Sequence, residues 1–291
     1  MSDVVMQLVV NSITAGALYA IIAIGFTLSY GVGKFFNLAH GVMTAIGAYA
    51  VFYLTKGLQI EAWLAVFIAI IFTGAVGWLL ERYIYAPLRA RKASTMVLLV
   101  ASLGAFTALQ GVLSILFSSQ VQTLTQGSAV QQVVAFAGAT ITEIQIITII
   151  TAIATLLGFV VLLRYTLFGK SVRAVSDDEE VSKIVGINTT RVIGVVFFLA
   201  AATAGLAGIL VGFDTAIEPT MGMALLLKGV IAAIVGGIGN IYGAVLGALL
   251  LGFVENFGIW KIAGEWKDAI AFALLIAFLL FRPHGILNKK S

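Results

Sequence analysis

The sequence predicts an all-α bundle of membrane-spanning helices, and three observations carry that prediction. Of 291 residues, 61% are hydrophobic and only 10% charged, where a soluble domain carries about 25% charged residues. Long apolar runs recur along the chain, several reaching the roughly 20 residues a helix needs to cross a hydrocarbon core of about 30 Å. The 17 basic and 13 acidic residues lie mostly in the gaps between those runs.

Taken in order, the apolar runs fall at 5–31, 38–55, 62–84, 95–117, 142–164, 191–213, 222–238, 240–259 and 266–282. The segment 218–239 is the short one. It carries Pro219 and several glycines, so it reads as either a spanning or a re-entrant helix, giving eight or nine spans. Basic residues concentrate on the cytoplasmic side of membrane proteins. Thirteen of the 17, counting Lys34, share one side if 82–92, 164–191 and the C-terminal tail are cytoplasmic. Lys56, Lys261 and Lys267 fall opposite, and Lys228 lies within a span. This places the N-terminus outside and the C-terminus in the cytoplasm. A re-entrant 218–239 would send Arg282, Lys289 and Lys290 outside, so parity favours spanning.

No basic n-region precedes the first apolar run, so no cleavable signal peptide is expected. The outer loop 118–142 is expected to hold at most a small hairpin, pairing 121–124 with 133–136. One membrane domain, 1–291, is expected, without a soluble appendage. Glycine numbers 31, as suits helices that pack closely in lipid.

The one long polar stretch, 164–191, sets Lys170, Arg173, Asp177, Asp178, Glu179, Glu180 and Lys183 between two apolar runs. Its centre reads as a short helix over 177–185. Ser176 supplies the N-cap, Glu179 completes a capping box, and Asp177 and Asp178 suit the positive end of the helix dipole. Gly186 is placed to end it in a left-handed conformation. Val181, Ile184 and Val185 share one face at helical spacing. Such a helix, held between two spans, is a shape that a soluble partner could grip; the plainer alternative is a solvated connection.

Catalytic constellations are absent from the sequence, and no enzyme is expected. His40 and His284 lie far apart, and no Ser/His/Asp set is visible. Gly169-Lys170-Ser171 ends like a phosphate loop, but Arg164 occupies the first glycine position and no strand leads in. No ATP site, cofactor or metal is therefore expected on this chain, and cysteine is absent. The net charge of +4 belongs to the basic cytoplasmic loops of a membrane protein, not to nucleic-acid binding.

Polar residues inside spans are candidates for a translocation pathway. Asn37, His40 and Gly41 interrupt the start of the second run, with His40 read first as a helix cap or carbonyl partner. Glu218 lies at an outer entrance, Lys228 within a short span and Glu255 near the outer end of its helix. Lys228 is expected to snorkel or to pair with Glu218 or Glu255. Gly236, Gly237 and Gly239, before Asn240, fit two readings equally: a break opening backbone toward a cavity, or close helix packing. An ion-coupled secondary transporter using Glu255 and Lys228, or a channel, is the rival to an ATP-driven system.

Several motifs resemble one family. Asn11-Ser12-Ile13-Thr14-Ala15-Gly16-Ala17-Leu18-Tyr19-Ala20-Ile21, followed by Asn37-Leu38-Ala39-His40-Gly41, resembles the opening of the LivH-type permeases. These are membrane subunits of branched-chain amino acid ABC importers. Gly236-Gly237-Ile238-Gly239-Asn240-Ile241-Tyr242-Gly243-Ala244, with Gly247 and Glu255, resembles the late glycine motif of that family. Arg282-Pro283-His284-Gly285-Ile286-Leu287 resembles its tail, with His284 where Gln is more usual. The resemblance implies a permease half-pathway in a bacterial inner membrane, paired with a second related permease. It further implies two cytoplasmic ATP-binding subunits and an external substrate-binding protein. Residues 165–190 become the coupling loop, with 177–185 as docking helix and Gly186, Ile187 and Asn188 following it. Branched-chain amino acids are the expected cargo, with urea or short amides the alternatives within the family.

Overall fold

The computed structural model describes residues 2–124, 133–136, 138–260 and 262–287. Lys261, Lys289 and Lys290 of the orientation argument lie outside them. A helix stands at every predicted apolar run. In order these are α1 (Ser2–Gly33), α2 (Ala39–Phe52), α3 (Ala62–Leu80), α5 (Thr95–Phe117), α6 (Glu143–Tyr165), α9 (Thr189–Asp214), α10 (Met221–Gly236), α11 (Ile241–Gly258) and α12 (Lys267–Phe281). Among the described residues, six helices are long and apolar enough to cross a membrane. The shorter three are α2, prolonged by a π turn over Tyr53–Gly57, together with α10 and α12. A second π turn, Glu81–Tyr85, carries α3 into the short α4 (Ala86–Ala90).

The polar stretch folds as α7 (Leu167–Asp177) and α8 (Glu179–Ile184). The expected hairpin forms with a different partner. Strand β1 (Val133–Phe136) pairs antiparallel with β2 (Ala139–Thr142), because a short connection closes at less entropic cost than a long one. Gln122 instead makes an isolated bridge, its N–H donating to the Ile217 carbonyl and its carbonyl accepting from the Ile217 N–H, both at 2.9 Å.

The chain divides into two compact units, one of residues 1–27, 125–154 and 227–291, the other of residues 28–124 and 155–226. In the second, α9 packs against both α2 and α3. The most apolar window of α9 is 72% buried, against 28% for α3 and for α5, so α9 is central and the others turn a face outward. Small residues make this possible: a Cβ on Gly205 would lie 2.8 Å from the Thr73 side chain, and such contacts bring helices within dispersion range. Phe67, Ile71, Val112 and Leu116 point outward. Exposed apolar surface of that extent suits lipid rather than water.

In the first unit α1 packs on α11 through Gly16 and Gly252, where a Cβ on Gly16 would meet Leu249 at 2.9 Å. Helices α11 and α12 lie together, and Gln7 accepts a 2.8 Å hydrogen bond from the Thr140 N–H, tying β2 to α1.

Candidate functional site

The polar segment starts where Thr166 caps α7, its hydroxyl accepting from the Gly169 N–H at 3.0 Å. Helix α7 buries Gly169, Val172 and Val175, and Ser176 donates its hydroxyl to the Gly31 carbonyl at 3.0 Å. Asp178 then breaks the helix. Its backbone is extended, and its carboxylate accepts from the N–H groups of Glu180 (2.8 Å) and Val181 (2.9 Å) to start α8. The expected single helix over 177–185, capped by Ser176, is therefore two helices with Asp178 as the cap between them. Burial of Val172 and Val175 carries α7 through Asp177, and the contact with Gly31 commits the Ser176 hydroxyl elsewhere.

Gly186 ends α8 with φ +88°, and nothing lies within 4 Å of where its Cβ would stand. Ile187, half-buried, returns its N–H to the Ser182 carbonyl at 3.0 Å. Asn188 caps α9 by accepting from the Arg191 N–H at 3.0 Å. Asp177 and Asp178 are exposed, while Glu179 is held by Lys183 at 2.8 Å. Val181, Ile184 and Val185 are 54%, 83% and 68% exposed. One turn of helix thus presents three aliphatic side chains that this chain leaves uncovered.

Asn37, His40 and Gly41 belong to the second unit. Asn37 is buried and its side-chain oxygen accepts from the Tyr85 hydroxyl at 3.0 Å. Ser102 of α5 braces the same turn, its oxygen accepting from the Leu38 N–H at 3.0 Å. His40 is buried, its N–H donating to the Asn37 carbonyl at 3.2 Å. Gly41 faces Gly222, whose carbonyl would stand 2.7 Å from a Cβ there. A void of about 10 Å³ touches Asn37 and His40, room for about one water. Glu218, also in this unit, is exposed just before α10.

The first unit gathers the charges. Lys228 reaches Glu255 at 2.5 Å and Asp268 at 2.7 Å. The Tyr19 hydroxyl donates to the other Glu255 oxygen at 2.8 Å, and Lys267 stands 3.9 Å from it. Glu255 has no exposed surface. The pairing of Lys228 is with Glu255, and with Asp268, which sequence reading did not single out. Two lysines and two carboxylates balance here, binding α1, α10, α11 and α12 into one polar knot.

At the turn from α10 to α11, Gly236 and Gly243 lie backbone to backbone. Gly237 and Gly239 take φ +106° and +90°, and the Asn240 side chain caps α11 by accepting from Tyr242 N–H at 3.0 Å and Gly243 N–H at 3.2 Å. The tail covers this turn. Ile286 and Leu287 donate to the carbonyls of Val235 and Gly236 at 3.0 and 3.1 Å, and Asn240 donates to the Leu287 carbonyl at 3.1 Å. Gly236 thus packs closely against α11, Gly237 and Gly239 break the chain between the two helices with open space beside Gly239, and the tail closes the end of α10.

Sequence reading also passed over Tyr19, Tyr85, Ser102 and the buried ion pair between Glu81 and Arg89. Glu81 was visible as a charge at the end of a span; its partner eight residues on required the π turn to be known.

Comparison with known proteins matches residues 8–279 to the family described as the permease component of the branched-chain amino acid transport system. The chain is 36% identical to the high-affinity branched-chain amino acid transport system permease protein LivH of Escherichia coli K12, over 98% of this chain and 96% of that one. It is 35% identical to the corresponding permease protein BraD of Pseudomonas aeruginosa over the same shares. To the probable LivH permease of Methanocaldococcus jannaschii it is 28% identical, over 92% and 88%. With apolar helices at every predicted span and a family match along nearly its whole length, this multi-pass membrane protein belongs to the branched-chain amino acid permease component family.

Proposed function

We propose that the chain is one membrane half of an ATP-driven importer of branched-chain amino acids in a bacterial inner membrane. Nine spans run from an external N-terminus to a cytoplasmic C-terminus, with 218–239 spanning. A second, related permease completes the pathway. Two cytoplasmic ATP-binding subunits drive it, and an external binding protein delivers the amino acid. The observation that carries this reading is the uncovered aliphatic face of α8, with Val181, Ile184 and Val185 exposed between two caps. An apolar face held in water calls for a partner, which in an ATP-driven importer is the subunit that hydrolyses ATP.

In this mechanism, closure of the ATPase pair moves α8 as a lever. The motion passes through Ile187 and Asn188 into α9, the central helix of its unit, and biases the spans between outward- and inward-facing states. Asn37, His40, Gly41 and Glu218, with Lys228, Gly236, Gly237, Gly239, Asn240 and Glu255, stand as the candidates along the pathway. Lys228 and Glu255 pair with each other, and Asn37 is held by Tyr85, which suits these residues to shaping the pathway more than touching cargo.

The test is uptake into proteoliposomes holding this chain with its companion permease and ATPases. Radiolabelled leucine, with its binding protein outside and ATP inside, should accumulate, and ATP omission should abolish uptake. Accumulation driven by an ion gradient without ATP would replace this reading with secondary transport.

A further inference from the structure

A cavity of about 400 Å³ opens between the end of α3 and the start of α9, lined in part by Trp78, Glu81, Arg82, Asn188, Thr190 and Arg191. It lies within one compact unit, and its charge balance is lopsided. The Glu81 carboxylate in its wall is already engaged by Arg89. Glu179, the neighbouring acid on α8, is held by Lys183 at 2.8 Å. Arg82 and Arg191 are exposed and enter no ion pair among the described residues. The indole of Trp78 lies across Gly194, its Nε1 3.1 Å from where a Cβ would stand. The cavity therefore presents two guanidinium forks, an aromatic edge and the first turn of a 26-residue helix, whose dipole favours an anion.

We infer that this cavity binds the phosphate headgroup of an anionic phospholipid. Guanidinium forks match phosphate oxygens bidentately, and basic pockets between membrane helices hold such headgroups. The lipid source, rather than free phosphate, follows from the neighbourhood. Trp78 and Leu79 are about two-fifths exposed and Tyr83 is 71% exposed, giving acyl chains an apolar wall beside the headgroup. Trp and Tyr at this level are typical of the membrane interface. The cavity also adjoins Asn188, the residue that joins the α8 connection to α9, so an occupant would brace the segment proposed to couple to the ATPase. The inference needs only that this end of α3 lies at a bilayer surface, and it stands or falls apart from the identity of the cargo.

The full chain, carrying Trp63→Phe, Trp260→Phe and Trp266→Phe so that Trp78 reports alone, would be placed in nanodiscs of phosphatidylcholine. Brominated phosphatidylglycerol or brominated phosphatidylcholine is then titrated in. Two arginines at a membrane surface imply a preference of roughly 30-fold for the anionic quencher. Arg82→Gln with Arg191→Gln should bring that preference near one, with quenching by brominated phosphatidylcholine unchanged. Equal quenching by both lipids in the arginine-bearing protein overturns the inference. So does reversal of the preference by millimolar inorganic phosphate, which would make the ligand a free anion, or its loss once the ATPase subunits are assembled, which would give the cavity to an acidic partner surface. Phosphatidylglycerol retained per chain after detergent purification, compared between the native chain and the double arginine variant, gives the same answer if the single-tryptophan chain does not fold.

Discussion

Glu255, a pathway candidate from its place inside an apolar helix, is held in the fold by Lys228, Lys267 and Tyr19. A carboxylate inside an apolar helix is a functional candidate by default, and nothing linear ties it to Tyr19, 236 residues away. Folded, it is fully buried and matched by Lys228 at 2.5 Å. Removing one member of a buried pair costs about 3–5 kcal/mol, whereas replacing both by apolar groups is often neutral. Lys228→Met should therefore lower the Tm of the purified permease by several degrees, and adding Glu255→Leu should recover most of the loss. A single variant that melts like the native chain would show that the knot carries no stability. The glycines were more legible: Gly186, Gly237 and Gly239 sit where a helix pattern stops, and all three adopt φ near +90°, a region that other residues avoid.

At the level of elements, period and length located all nine apolar helices, because a bilayer imposes one length scale on every span. What the pattern could not resolve was the polar segment. Ser176 with Glu179 makes a capping box, and Asp178 is an equally good N-cap by residue type, so local signals cannot rank them. The choice is made by tertiary contact, through Val172, Val175 and the hydrogen bond from Ser176 to Gly31. The two-helix arrangement sharpens the coupling test. Ile184 is 83% exposed, so Ile184→Asp should leave the melting of the isolated permease unchanged. Against a partner, one buried aliphatic side chain supplies roughly 1.5–3 kcal/mol, so the same change should cut ATPase co-purification at least tenfold and abolish substrate-stimulated ATP turnover. Gly186→Val should act similarly through the backbone alone: there is space for the side chain, but a β-branched residue resists φ +88°. Normal ATPase assembly in both variants would reduce α8 to a solvated connection.

For the whole molecule the open quantity is parity, and it rests on the short helices. At about 1.5 Å per residue, the 16 residues of α10 and the 15 of α12 reach roughly 24 and 22 Å, less than the hydrocarbon thickness of about 30 Å. Short spans of this kind are accommodated by local thinning of the bilayer and by interfacial anchors; Trp266 and Lys267 stand at the start of α12, with Arg282 at its end. If both cross, nine spans put the termini on opposite sides, and Arg82, Arg89, Arg91, Lys92, Arg282 and the basic residues of the polar segment share the cytoplasmic face, as the distribution of Lys and Arg requires. If one only dips in and returns, Arg282 moves outside. The chain has no cysteine, so single thiols report cleanly. Glu61→Cys, in the connection before α3, should react with an impermeant maleimide from outside intact cells. Glu180→Cys on α8, Arg91→Cys after α4 and Pro283→Cys in the tail should react only after the membrane is opened. External labelling at position 283 alone would make α10 or α12 re-entrant while leaving the coupling face in the cytoplasm. External labelling at position 180 would invert the topology and remove α8 from reach of any cytoplasmic ATPase.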